Sequence, residues 1–65
     1  MRIKYKGVVC NTGYERVMGK EVPALYYVES PDQDTLIKAG FEEIHYGRWV
    51  KLLNDTEFKE VLDLI

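Results

Sequence analysis

The stretch Ser30 to Leu53, SPDQDTLIKAGFEEIHYGRWVKLL, constrains this chain most, because it specifies a helix, its stop and a hairpin in one short run. Ser30 has the chemistry of an N-cap, and Pro31 suits a first helical position, where a missing N–H loses nothing. Gln33 stands where a capping box needs it. Gly40 can adopt the left-handed conformation that closes a helix, with Phe41 placed to fold back on Leu36 in a Schellman ending. The spacing predicts a helix over Pro31 to Ala39.

Upstream, Arg2 to Cys10 alternates polar and apolar residues before passing through Gly7 into Val8 and Val9. This predicts a strand with Ile3 and Tyr5 on one face and Arg2, Lys4 and Lys6 on the other. Asn11-Thr12-Gly13 reads as a turn, Tyr14 to Met18 as a short second strand, and Gly19-Lys20 as a glycine-first hairpin loop. Val22 to Glu29 then returns as a third strand. Its centre, Leu25 to Val28, is apolar on both faces and therefore central, and Pro23 makes its start irregular.

Downstream, Phe41 to Tyr46 and Trp49 to Leu53 flank Gly47-Arg48. In that hairpin register Tyr46 faces Trp49, Ile44 faces Lys51, His45 faces Val50 and Glu43 faces Leu52. Asn54 caps a last helix over Asp55 to Leu64 with Glu57 completing a capping box, and Phe58, Val61, Leu62 and Ile65 form its apolar stripe. The order is βββαββα, an α+β fold in a single domain over residues 1–65, with two helices on one face of a small antiparallel sheet. The expected core is Ile3, Tyr5, Val9, Leu25, Tyr27, Leu36, Ile37, Phe41, Val50, Leu52, Phe58, Val61 and Leu62.

Hydrophobic residues at 46% and charged residues at 31% fit a globular chain rather than a disordered one. The longest apolar run, Ala24 to Val28, is far short of the roughly 18 residues that suggest a membrane span. Arg2, Lys4 and Lys6 break up any signal-peptide segment, so the chain reads as a complete cytoplasmic protein. Cys10 is the only cysteine, which excludes an internal disulfide and a multi-cysteine zinc site. A chain this short buries little apolar area by itself, and a homodimer is expected on that ground. Residues 1–29 carry a net charge of +2 and residues 30–65 a net charge of −4, a mildly basic sheet edge against an acidic helical side.

No catalytic constellation stands out. Glu43 and His45, two apart on a predicted strand, would share a face, but a metal site needs three or four ligands and a base needs an enclosing pocket. Cys10 reads as a small buried hydrophobe, since nothing nearby in sequence would lower its pKa. Asn54-Asp55-Thr56 matches a glycosylation acceptor by letter, yet Asn54 serves as a helix cap. Asp32 and Asp34 lack the remaining positions of a calcium loop and suit a helix's first turn. The glycines have no phosphate-loop spacing, so no nucleotide cofactor is indicated.

Leu36 to Phe41 resembles the helix, glycine, phenylalanine, strand junction of the acyl-CoA N-acetyltransferases and of small toxins with a double-stranded-RNA-binding-like fold. The likeness covers this junction alone and implies a local helix ending, with no residue role attached to it.

What remains is aromatic: five Tyr, two Phe and one Trp in 65 residues exceed what two thin layers can hide. The expected function is a non-enzymatic protein-interaction module, acting by self-association or on a protein partner. Its contact residues would be Tyr26, Tyr46, Arg48 and Trp49, types enriched at interface hot spots. The second reading is weak single-stranded nucleic-acid binding. There Arg2, Lys4 and Lys6 would contact phosphates and Tyr14 or Tyr26 would stack on bases.

Overall fold

The computed structural model describes residues 2–29 and 31–65. Its elements are β1 (Arg2–Tyr5), β2 (Val8–Val17), β3 (Lys20–Tyr27), α1 (Gln33–Lys38), β4 (Glu42–His45), β5 (Arg48–Leu52) and α2 (Asp55–Leu64). The five strands form one antiparallel sheet in the order β1-β2-β3-β5-β4, and the element order βββαββα is the one expected.

The hairpins turn at other residues than expected, and for one repeated reason. Each loop has its glycine second, at Lys6-Gly7, Met18-Gly19 and Tyr46-Gly47, rather than first. In the first two loops both residues have positive φ, 48° and 87° for Lys6 and Gly7 and 50° and 79° for Met18 and Gly19. Such loops match the right-handed twist of the strands they join. The chain therefore reverses at Lys6-Gly7, splitting the expected first strand, and Asn11-Thr12-Gly13 lies inside a ten-residue β2 instead of forming a turn.

The second hairpin is shifted as well. Glu42 pairs with Val50, Glu43 with Trp49 and His45 with Arg48, with a register shift between Glu43 and His45. Cross-strand partners share a face, so Glu43 and His45 project to opposite faces and the expected same-face pair does not exist.

The helix ends obey local rules closely. Asn54 accepts from the Glu57 N–H at 2.8 Å while the Glu57 carboxylate accepts from the Asn54 N–H at 3.1 Å, a complete capping box. At the end of α1, the Gly40 N–H donates to the Ile37 carbonyl at 3.0 Å and the Phe41 N–H to the Leu36 carbonyl at 2.9 Å, with Gly40 at φ +91°. That is the Schellman pair of bonds. The start of α1 differs from expectation. Its N-cap is Asp32, which accepts from the Thr35 N–H at 2.7 Å, so Pro31 precedes the helix; Ser30 lies outside the described residues. A carboxylate in that position also meets the positive end of the helix.

The register sorts side chains by face. Ile3, Tyr5, Val8, Cys10, Leu25, Tyr27, Trp49 and Lys51 share one face. There most of them join Leu36, Ala39, Phe41, Leu53 and Val61 in a single core with Phe58 packed against it, so both helices cover this side. Val9, Gly13, Glu15, Ala24, Tyr26, Val50 and Leu52 alternate onto the other face, where Ala24 and Val50 are buried apart from that core.

Four expected core positions change accordingly. Val9 and Leu52 are only half-buried, because parity sends them to the face without helices. Ile37 and Leu62 are 54% and 51% exposed, because each stands one residue round the helix from the one that faces the sheet, Leu36 and Val61. Val8, Ala24, Ala39 and Leu53 take up buried positions not expected from the pattern, and Cys10 is buried as expected.

Candidate interaction site

Three strands bring Glu15, Tyr26 and Arg48 together on the face opposite the helices. The Tyr26 hydroxyl lies 2.6 Å from the Glu15 carboxylate and 2.8 Å from the Tyr14 carbonyl. Arg48 donates to the same Glu15 oxygen at 3.2 Å, and its guanidinium stands 5.9 Å from the centre of the Tyr26 ring. Gly13 makes this reach possible: a Cβ there would meet Tyr26 Cε2 at 2.8 Å, so the ring can cross β2 only over a residue without one. Burial first, then the hydrogen bond and charge of Glu15, hold the Tyr26 phenol above its ordinary pKa against the opposing pull of Arg48.

Next to this cluster the sheet opens. Registered pairing of β3 with β5 stops at Tyr26 and Val50. Beyond it a shallow pocket of about 290 Å3 lies between Tyr26, Tyr27, Gly47, Arg48 and Trp49. Tyr27 and Trp49 enter it from the helix-covered face, where they pack against the core, and Tyr26 and Arg48 enter from the other face. The loop that carries its rim is pinned by the Gly47 N–H, which donates to Glu43 at 2.8 Å.

Of the four expected contact residues, Tyr26, Arg48 and Trp49 therefore converge on one notch. Tyr46 does not; it stands fully exposed at the tip of the β4–β5 loop. Trp49 is both core and surface, half-buried against the hydrophobic cluster with one side in the pocket. Sequence reasoning missed Glu15 and Tyr27. Glu15 had no signal, since its role comes from strands distant in sequence, whereas Tyr27 could have been inferred from its place beside Tyr26 in an apolar strand.

The residues of the nucleic-acid reading are spread out. Arg2 and Lys4 are exposed on the face that bears Tyr26. Lys6 sits in the first turn with its ammonium 5.4 Å from the Tyr5 ring. Tyr14, 61% exposed, projects from the opposite face of β2.

Other ionisable groups are explained by the fold. Cys10 is a buried free thiol whose pKa is raised by burial and pulled back by a backbone bond from Tyr5. Lys51, under the helices, pairs with Glu57 at 2.8 Å; that bond, then the Asn54 N–H, holds the Glu57 carboxyl below its ordinary value. Among the described residues no three His, Cys, Asp or Glu side chains gather as metal ligands, and no helix is long and apolar enough to cross a membrane. No family model, curated protein or solved structure matches the chain.

Proposed function

We propose that this chain is a non-enzymatic protein-interaction module whose contact site is the notch formed by Tyr26, Tyr27, Arg48 and Trp49. The carrying observation is that three of the residues expected to make contact, Tyr26, Arg48 and Trp49, line a single pocket, with a third aromatic, Tyr27, beside them. Aromatic rings and an arginine held ready are what the energetic centres of protein interfaces use, because they bury large area with little loss of side-chain freedom. Arg48 is preorganised by Glu15 and the Tyr26 ring, so little conformational entropy remains to be lost when a partner orders it. The pocket is too shallow to enclose a small substrate but suits an inserted side chain. A cytoplasmic setting fits the buried free thiol of Cys10.

The test compares the wild type with Arg48→Ala and Trp49→Ala. Partners recovered from host lysate are identified, and their affinities for the folded variants are measured. The expected loss for either exchange is about 2 kcal/mol, with native circular dichroism retained. Variants that stay folded and bind every partner as tightly as the wild type would remove the notch from the function.

A further inference from the structure

We infer that the outer edge of β2 over residues 12–17 pairs with the same edge of a second copy of this chain, continuing the sheet across a two-fold axis. Among the described residues, β1 pairs with β2 only as far as Asn11, and β3 pairs with β5 only from Ala24. The intervening part of the β2–β3 hairpin is a two-stranded arm that extends past the sheet and ends at Met18, which is 97% exposed.

The backbone groups on that edge can be assigned. Val17 and Lys20 close a two-residue hairpin loop, which makes them a hydrogen-bonded pair. Alternation then turns Gly13 and Glu15 toward β3 and leaves Thr12, Tyr14 and Arg16 with N–H and C=O pointing outward. The Tyr14 carbonyl accepts the Tyr26 hydroxyl at 2.8 Å and retains a second lone pair. Edges left open in this way are normally blunted by proline, inward charge, a bulge or brevity. β2 has no proline, none of its pairings shows a register shift, and it runs for ten residues.

A second copy fits this edge in one register. Centring the pair on Tyr14 would set Val17 of one copy against Asn11 of the other, where Arg2 already pairs. Centring it on Glu15 avoids that collision and places Tyr14 of each copy opposite Arg16 of the other, a ring beside a guanidinium. The two Glu15 side chains would then be neighbours, but each carboxylate is already folded back on its own Tyr26 and Arg48. This edge adjoins the notch through Glu15 and the Tyr14 carbonyl, which hold Tyr26 and Arg48, but no residue of the edge lines the notch itself.

Sedimentation equilibrium of the full chain from micromolar to millimolar concentration, joined to amide hydrogen exchange, tests the inference. The expected result is a reversible monomer–dimer equilibrium in which the Tyr14 and Arg16 amides become slower to exchange as concentration rises. Tyr14→Pro removes an outward N–H without touching a β2–β3 bond, and should weaken dimerisation by about tenfold or more at an unchanged monomer melting temperature. If that variant fails to fold, a synthetic chain with an N-methylated Tyr14 amide replaces it, with the same expectation. Trp49→Ala should dimerise as the wild type does. A chain that stays monomeric throughout, or a dimer in which Tyr14 and Arg16 gain no protection, overturns the inference while leaving the notch untouched.

Discussion

The Tyr26 ring lies across Gly13, and a Cβ at position 13 would stand 2.8 Å from its Cε2 atom. The glycine therefore defines where the ring goes, and the ring carries its hydroxyl to Glu15 and Tyr14. Gly13→Ala should displace the ring and lower stability by about 1–2 kcal/mol in urea unfolding, despite the better strand propensity of alanine. In a Tyr26→Ala background the same exchange should be neutral or stabilising, since the obstacle is gone. Additive effects in this double-mutant cycle would show that ring and glycine are uncoupled.

Tyr5 is buried in the core with its hydroxyl unpartnered, the one such side-chain atom among the described residues. A buried hydroxyl without a hydrogen bond keeps its desolvation penalty. Tyr5→Phe should therefore leave stability unchanged or raise it by about 1 kcal/mol, read from the urea midpoint. A clear loss would mean the hydroxyl has a partner in solution.

The Glu57 carboxyl is held below its ordinary pKa by Lys51 and the Asn54 N–H. A depressed carboxyl contributes stability that is complete above its unfolded pKa and is lost as pH falls through its folded one. Melting temperature should decline on acidification through and below the ordinary glutamate range, and Glu57→Gln should flatten part of that decline. The amide keeps the oxygen that accepts from Asn54, so the capping box survives while the ion pair with Lys51 goes. At neutral pH the loss should be about 1 kcal/mol.

Gly40 closes α1 at φ +91°, and a Cβ there would meet the Lys51 side chain at 3.2 Å. Gly40→Ala meets both an unfavourable backbone conformation and a crowded neighbour. The expected cost is about 1–2 kcal/mol in thermal unfolding, more than for Gly7→Ala, where the space is open.

The sequence by itself determined what depends on residues within about one helical turn of each other. Asn54 with Glu57, and Gly40 with Leu36 and Phe41, are local contacts that the chain forms wherever the helix is put, so both endings and the element order were legible. Which of Tyr26, Tyr46, Arg48 and Trp49 would meet was not. Tyr26 stands on β3, Arg48 and Trp49 on β5 and Tyr46 in the loop before it, so their meeting depends on how strands distant in sequence are paired. The bulge between Glu43 and His45 put those two residues on opposite faces, the β2–β3 register let Tyr26 reach over Gly13 to Glu15, and the Tyr46-Gly47 loop left Tyr46 at a tip away from the notch. Tertiary pairing alone decided these, because the partners are held together by strand register rather than by closeness along the chain.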